Sequence, residues 1–292
     1  MRGVYFLAND RVFDLAVAFL TSFRRSNPDI PLHLIPFADE CERVTALAQS
    51  YGFTVYEDRA TLLACDEVSR QFHGNRVGHY RKLAAWSGPF DEFLYIDCDT
   101  VVLEPVDFVF ELLAEHDVIT SHSNMPEIRR WVWRHSALDA GVLNRQQIGY
   151  AANTGFIASK AGLFDVHKLL TQLDEPLAFA EHMELDCCEQ PYLNYLIVTS
   201  GHSYTSLMNI VKRTGRKDIP LERWAGGEIG EVSEGRVLSP GESKILMVHW
   251  AGEWERARLS GGTIPHREFW EYYRSLHQDA DARQSAKREV TA

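Results

Sequence analysis

The chain has 292 residues, of which 45% are hydrophobic and 24% charged; this suffices for a full core in one α/β domain and excludes a disordered or fibrous polypeptide. A formal net charge of −11 excludes a nucleic-acid backbone as the main partner, because such binders cluster Lys and Arg to displace counterions. Cys41, Cys65, Cys98, Cys187 and Cys188 are odd in number and lack CxxC spacing, which argues against a disulfide framework or structural zinc and for a reducing cytoplasm.

At the start of the chain, "GVYFLA" (3–8) reads as a strand. Its apolar run is cut by Asn9 and Asp10, too soon for a signal-peptide core, and no later stretch approaches the ~20 apolar residues of a membrane span. "VFDLAVAFLTSFRR" (12–25) follows as an amphipathic helix, "PLHLIPF" (31–37) as a strand, "DECERVTALAQSYG" (39–52) as a helix closed by Gly52, and "FTVYE" (53–57) as a strand. A loop is expected next, then a helix over "GHYRKLAAWSG" (78–88) and a strand over "EFLYI" (92–96). Further strands are expected at "DVITS" (117–121), "TGFIAS" (154–159) and "KILMVHW" (244–250), with helices at 161–173, 189–198 and 266–277. Two long irregular stretches, His122 to Ala152 and Thr205 to Ser243, have the length of binding segments or covers, or else of disordered loops. Residues 278–292 form a polar tail expected to be disordered, which leaves 1–277 as the single domain. Alternation of strands and helices predicts a mostly parallel sheet with helices on both faces and ligands at the carboxyl ends of the strands.

Asp97 and Asp99 stand at one such end. An Asp-x-Asp pair alone means little, since Asp279 and Asp281 repeat it in the tail. What distinguishes the first pair is the apolar strand before it and "TVVL" after it. Two carboxylates so close repel unless a cation lies between them, and oxygen ligands select Mg(II), Mn(II) or Ca(II). The plain alternative is a strand-to-turn junction with two solvated carboxylates. His249, ending a second apolar strand in "LMVHWAG", would tilt the choice toward Mn(II) if it joined them, although such a histidine is more often a core or surface residue.

Four segments, "HYRKLAAWSGPFDEFLYIDCDTVVL", "NTGFIAS", "EQPYLN" and "HWAG", occur in the order and rough spacing of the GT-A (Rossmann-like) glycosyltransferases. The chain most resembles the retaining family that includes glycogenin and bacterial lipopolysaccharide galactosyltransferases. The likeness covers most of the chain and is weakest in the two long stretches. It implies transfer of a sugar from a nucleotide-sugar donor, UDP-linked, to an acceptor that the sequence does not identify. It further implies a DXD metal motif in Asp97 and Asp99 with His249 as third ligand to Mn(II) or Mg(II), and Asp97 shared with the ribose.

The same resemblance places Ala8 and Asp10 at the nucleotide, Lys82 near the diphosphate, Asn153 and Gly155 at the donor sugar, Glu189 and Gln190 near the anomeric carbon, and Gly252 in the His-x-x-Gly turn. Read from the residues alone, Asn9 or Asp10 is equally a helix N-cap, Lys82 an exposed helix lysine, and Glu189 an acidic residue favouring a helix N-terminus. One position departs from the family: Glu255 stands where a diphosphate-clamping lysine is expected, leaving Arg256 or Arg258 to substitute. "MPEIRRWVWRHSALDAG" (125–141), with Trp131, Trp133 and its arginines, reads as an acceptor-binding segment or lid, or else as a helix packing its tryptophans inward.

Three rival functions carry specific requirements. A phosphatase of the haloacid dehalogenase type would use Asp97 as nucleophile and Asp99 as acid/base, but it needs a later acidic pair that does not appear. A nucleotidyltransferase would want glycines after the first strand, and "LANDRVF" has none. A binding protein that has lost catalysis is the third, against which every chemical position retains a candidate side chain.

Overall fold

The computed structural model describes residues 1–233, 235–238 and 244–277. Seven strands form the main sheet: β1 (Arg2–Ala8), β2 (Leu32–Pro36), β3 (Phe53–Val55), β4 (Glu92–Asp97), β6 (Val118–Thr120), β7 (Phe156–Lys160) and β8 (Tyr204–Ser206), in the order β3-β2-β1-β4-β7-β6-β8. β5 (Thr100–Val102) lies outside it. β1, β2, β3 and β4 run parallel to one another and β6 runs parallel to β8, while β7 is antiparallel to β4 and β6. The sheet is therefore mostly parallel, as the alternation of elements predicts.

The period of two along the strands sorts the core onto both faces. In β1, Val4, Phe6 and Ala8 pack with Phe19 and Phe23 of the helix Phe13–Ser26, whereas Tyr5 and Leu7 join Trp86, Phe90 and Phe93 on the other side. Residues in β4 divide the same way, with Leu94 and Ile96 on one face and Phe93 and Tyr95 on the other.

A second sheet holds β5, β12 (Ile245–His249) and β9 (Leu221–Trp224) in the order β5-β12-β9. β5 is antiparallel to β12 and places Thr100 opposite His249. β9 is parallel to β12 and places Trp224 opposite His249, with a register shift between Ile245 and Met247 that marks a β-bulge. A hairpin of β10 (Glu231–Ser233) and β11 (Arg236–Leu238) stands beside this layer. The segment over 267–277 is helical and contributes Phe269, Trp270 and Tyr273 to the cluster around Trp250.

Several expectations need correction. The loop expected after residue 57 is a helix, Arg59–His73: the Asp58 carboxylate accepts the Thr61 amide at its N-terminus, and Gly74 closes it at φ 69°. Its inward face includes Thr61, Asp66 and Ser69, and this buried polarity hides the apolar period. The helix expected over 78–88 is present over Gly78–Ser87, in the tighter 3-10 form. The helix expected over 161–173 is only Val166–Leu170, because Gly162 turns at φ 72° and Asp165 caps it.

Nor are the two long stretches irregular throughout. The first contains the helices Pro126–Arg129 and Arg145–Tyr150, and the second contains the helix Leu207–Thr214, β9 and the hairpin. The expected disordered tail, 278–292, lies outside the described residues.

Candidate functional site

Asp97 ends β4 in the large sheet and Asp99 immediately precedes β5 in the small one, so the two carboxylates straddle the junction between sheets. The pairing of Thr100 with His249, and a hydrogen bond from the Trp250 amide to the Asp99 carbonyl at 3.0 Å, bring the end of β12 to the same junction. His249 Nε2 lies 3.2 Å from Asp99 Oδ1 and 4.0 Å from Asp97 Oδ2. One ligand atom from each of the three residues falls within 4.8 Å of the others. β7 approaches from the opposite direction: the Asp97 amide donates to the Gly155 carbonyl at 2.9 Å, and the Gly155 amide to Asn153 Oδ1 at 2.7 Å. A Cβ on Gly155 would stand 2.8 Å from Asp97 Oδ2 and closer still to the His249 ring. The sheet reserves that volume for the site.

Lys82 enters from the 3-10 helix. Its neighbour Arg81 anchors that helix through a bidentate pair with buried Asp66 at 2.7 and 2.8 Å. Lys82 Nζ then lies 3.0 Å from Asp97 Oδ1 and 2.6 Å from Glu189 Oε1. The Tyr95 hydroxyl, two residues before Asp97 and therefore on the same face of β4, donates to Asp97 Oδ1 at 2.5 Å. Burial disfavours the Lys82 ammonium, but Asp97 and Glu189 outweigh it and raise its pKa above the usual lysine range. Burial also opposes the Asp97 charge, and Lys82, His249 and Tyr95 overcome it to hold that carboxyl below its ordinary value. Both groups are charged in the resting protein. Lys82 is thus neither exposed nor unpaired.

Glu189 also accepts from the Thr154 hydroxyl at 3.1 Å, and it follows Cys188, whose φ of 57° is unusual for a residue with a side chain. Gln190 starts the helix Gln190–Thr199 and spans two segments, accepting the Thr154 amide at 3.2 Å and donating to the Trp131 carbonyl at 3.1 Å. Asn194, one turn on, takes both the amide and the carbonyl of Ala152.

No protein-family model matches the chain, and no curated relative matches it. Solved structures do. The galactosyltransferase LgtC, in complex with donor and acceptor sugar analogues, superposes with a TM-score of 0.57 at 15% identity, over 94% of this chain and 96% of its own. An active-site mutant of LgtC superposes at 0.54 and 15% identity, over 94% of this chain and 100% of its own. The chain has the GT-A fold.

Within the GT-A fold the donor set of two carboxylates and one imidazole fits a divalent cation, and Gly155 leaves the space free of side chain. Glu222 is the residue that sequence reasoning missed. Its side chain is wholly buried, and its Oε1 lies 2.6 Å from His249 Nδ1. Burial opposes the His249 charge, yet Asp99 and Glu222 raise the imidazole pKa well above its usual value. Burial opposes the Glu222 charge in turn, and it is outweighed by His122, whose Nδ1 lies 3.6 Å from Oε2, and by the hydrogen bond with His249. Tyr95 could have been found from its two-residue offset to Asp97. Glu222 had no such signal inside a stretch read as irregular.

The other sequence candidates sit further out. Ala8 is buried one step beyond Leu7, which pairs with Asp97 across β1 and β4. Asp10 accepts the amides of Arg43 and Val44 at 3.1 and 3.0 Å, so its carboxylate caps the helix Glu42–Ala46, while Asn9 accepts the Arg11 amide. Gly252, at φ 74°, turns the chain into the helix Glu253–Ser260. On that helix Arg256 pairs with Glu253, and Arg258 pairs with Glu255, Nε to Oε2 at 2.7 Å. Both arginines are engaged locally. The tryptophan pair divides: Trp133 packs against Phe179, and Trp131 is 45% exposed. Among the described residues no helix is long and apolar enough to cross a membrane.

Proposed function

We propose that the protein is a glycosyltransferase that moves a sugar from a nucleotide-sugar donor, UDP-linked, to an acceptor hydroxyl. The observation that carries this reading is the meeting of Asp97, Asp99 and His249 at the carboxyl end of β4, where open α/β sheets bind ligands. Asp97, Asp99 and His249 would hold Mn(II), or Mg(II), which when bound supplies the positive charge that offsets charge developing on the departing diphosphate. Lys82 contributes through its partners, pairing with both Asp97 and Glu189 inside the fold. Asn153 and Gly155 shape the wall beside Asp97 where the donor sugar would lie, and Ala8, Asp10 and Gly252 frame the nucleotide side.

Glu189 and Gln190 are assigned to the anomeric centre. The first is fixed by Lys82 and the second by hydrogen bonds at both ends of its amide, so together they offer a stationary charge and dipole to a cationic centre. That arrangement favours retention of configuration over inversion, which calls for a base poised to take the acceptor proton. Exposed Trp131, tied to Gln190 through its carbonyl, is assigned to the acceptor, where its ring offers a face to a sugar. The five free cysteines fit a cytoplasmic setting. A phosphatase is less well supported, because among the described residues the group that joins Asp97 and Asp99 is His249 and not a further acidic pair.

Thermal-shift screening against nucleotide sugars with and without Mn(II) tests the reading, since a ligand at about 100 times its Kd adds roughly 2.7 kcal/mol. Release of UDP from UDP-sugars should fall by roughly 10² to 10³ in Asp99→Asn with the fold intact. A chain stabilised by no nucleotide sugar, or an Asp99→Asn variant with unchanged turnover, would sink it.

A further inference from the structure

We infer that Glu222 is the positioning residue for His249: its carboxylate decides which ring nitrogen faces the two aspartates. Glu222 Oε1 already accepts the Trp224 indole, and its 2.6 Å contact with His249 Nδ1 places it to accept the proton on that nitrogen as well. Nε2 is then the atom turned toward Asp99 Oδ1 at 3.2 Å. A hydrogen-bonded carboxylate behind an imidazole fixes the ring plane, and once the opposite nitrogen gives up its proton it is a better donor of its lone pair.

Glu222 is held as firmly as it holds His249. The Trp224 indole donates to the same Oε1 at 3.0 Å, the Ser121 hydroxyl donates to Oε2, and His122 Nδ1 lies 3.6 Å from Oε2. A charge buried this deeply is costly, and an apolar residue of similar volume is often at least as stable, so stability alone is a poor reason for it. The bulge in β12 supplies a second observation. Leu221 pairs with Ile245, but after the shift Glu222 pairs with Met247 and Trp224 with His249. Without the extra residue Glu222 would pair with Leu246 and project to the face opposite His249, since successive side chains alternate. The irregularity is what aims Glu222 at the imidazole.

The consequence for metal binding rests on the reading proposed above, whereas the hydrogen bond that orients the ring does not, and the test separates them. In metal-free protein, nitrogen-15 NMR should show a protonated, hydrogen-bonded Nδ1 on His249, assigned by its loss in His249→Asn, and Glu222→Ala should abolish that bonded state. Mn(II) titration followed by electron paramagnetic resonance should give affinity roughly 10- to 100-fold weaker in Glu222→Ala. Glu222→Gln, which keeps an acceptor, should fall between, and in a His249→Asn background neither change should alter Mn(II) affinity more than about twofold. A purely structural Glu222 would lower the melting temperature with the NMR signal and the coupling unaltered, and that result overturns the assignment. So does an unprotonated Nδ1 in the wild type. Wild-type protein that binds Mn(II) no better than Asp99→Asn counts against the metal reading, and the metal-free spectrum then decides the role of Glu222.

Discussion

Gly155→Ala is the sharpest probe of the site, because one methyl group meets two of its proposed ligands. The added Cβ would lie 2.8 Å from Asp97 Oδ2 and 3.0 Å from Asn153 Oδ1, and nearer still to His249 Cε1. To reach the ~3.5 Å of ordinary contact, the Asp97 oxygen must retreat by roughly 0.7 Å and the imidazole by more. Neither has room, since Asp97 is tied to Lys82 and Tyr95 and His249 to Glu222. Overpacking of this kind costs about 1–3 kcal/mol, and a displacement near 1 Å in reacting geometry can cost 10²-fold in rate. The expected result is a folded protein with a lower melting temperature, Mn(II) affinity reduced at least tenfold, and UDP release reduced about a hundredfold. Gly149→Ala is the control: its Cβ would meet only Asn124 Nδ2, at 3.9 Å, inside the helix Arg145–Tyr150, so stability should hold or rise slightly. Wild-type Mn(II) binding and turnover in Gly155→Ala would show that the three side chains do not act together.

Lys82→Met should destabilise the protein by about 3–5 kcal/mol in urea denaturation, because buried Glu189 loses its cation and Asp97 loses one of its partners. Part of that loss should return at acid pH, where Asp97, no longer held down by Lys82, takes up a proton. His33 makes the opposite demand: burial lowers its pKa from 6.5 to about 4, so its neutral form belongs to the native state. Its contribution is therefore complete above pH 6.5 and is lost as the pH falls through 4; His33→Gln should shrink the stability difference between pH 7 and pH 5 by on the order of 1 kcal/mol, read by thermal melting at each pH. Trp131→Ala should raise the KM for the acceptor at least fivefold and leave Mn(II)-dependent donor binding unchanged, as measured by steady-state kinetics and calorimetry. A Trp131→Ala protein with altered donor affinity would move this residue to the nucleotide side.

The parts of the site that the sequence reveals are those carried by a strand end. Asp97 and His249 each close an uninterrupted apolar run, so the change from buried to polar marks the rim of a sheet before any topology is known. Asp99 comes with them because β5 resumes one residue later. What stayed hidden depends on contacts between distant segments. Lys82 looks like a surface lysine until the 3-10 helix buries it between two carboxylates that lie 15 and 107 positions along the chain. The helix Arg59–His73 escaped notice because Asp66 faces inward to pair with Arg81, a polar residue where the period calls for an apolar one. β9 has four residues and no long alternation, so neither its pairing with β12 nor the bulge that redirects Glu222 leaves a mark in local pattern.

The crossing at Cys98 gives the molecule a seam. Backbone hydrogen bonds run on either side of it, in the large sheet up to Asp97 and in the small sheet from Thr100 onward, and the carboxylates flank the gap like paired eyelets. A cation laced through them would fasten one layer to the other. Occupancy should consequently be legible far from the chemistry, as slowed amide exchange along β5 and β12, whose sheet is separate from the large one and would gain that lacing as an added tie.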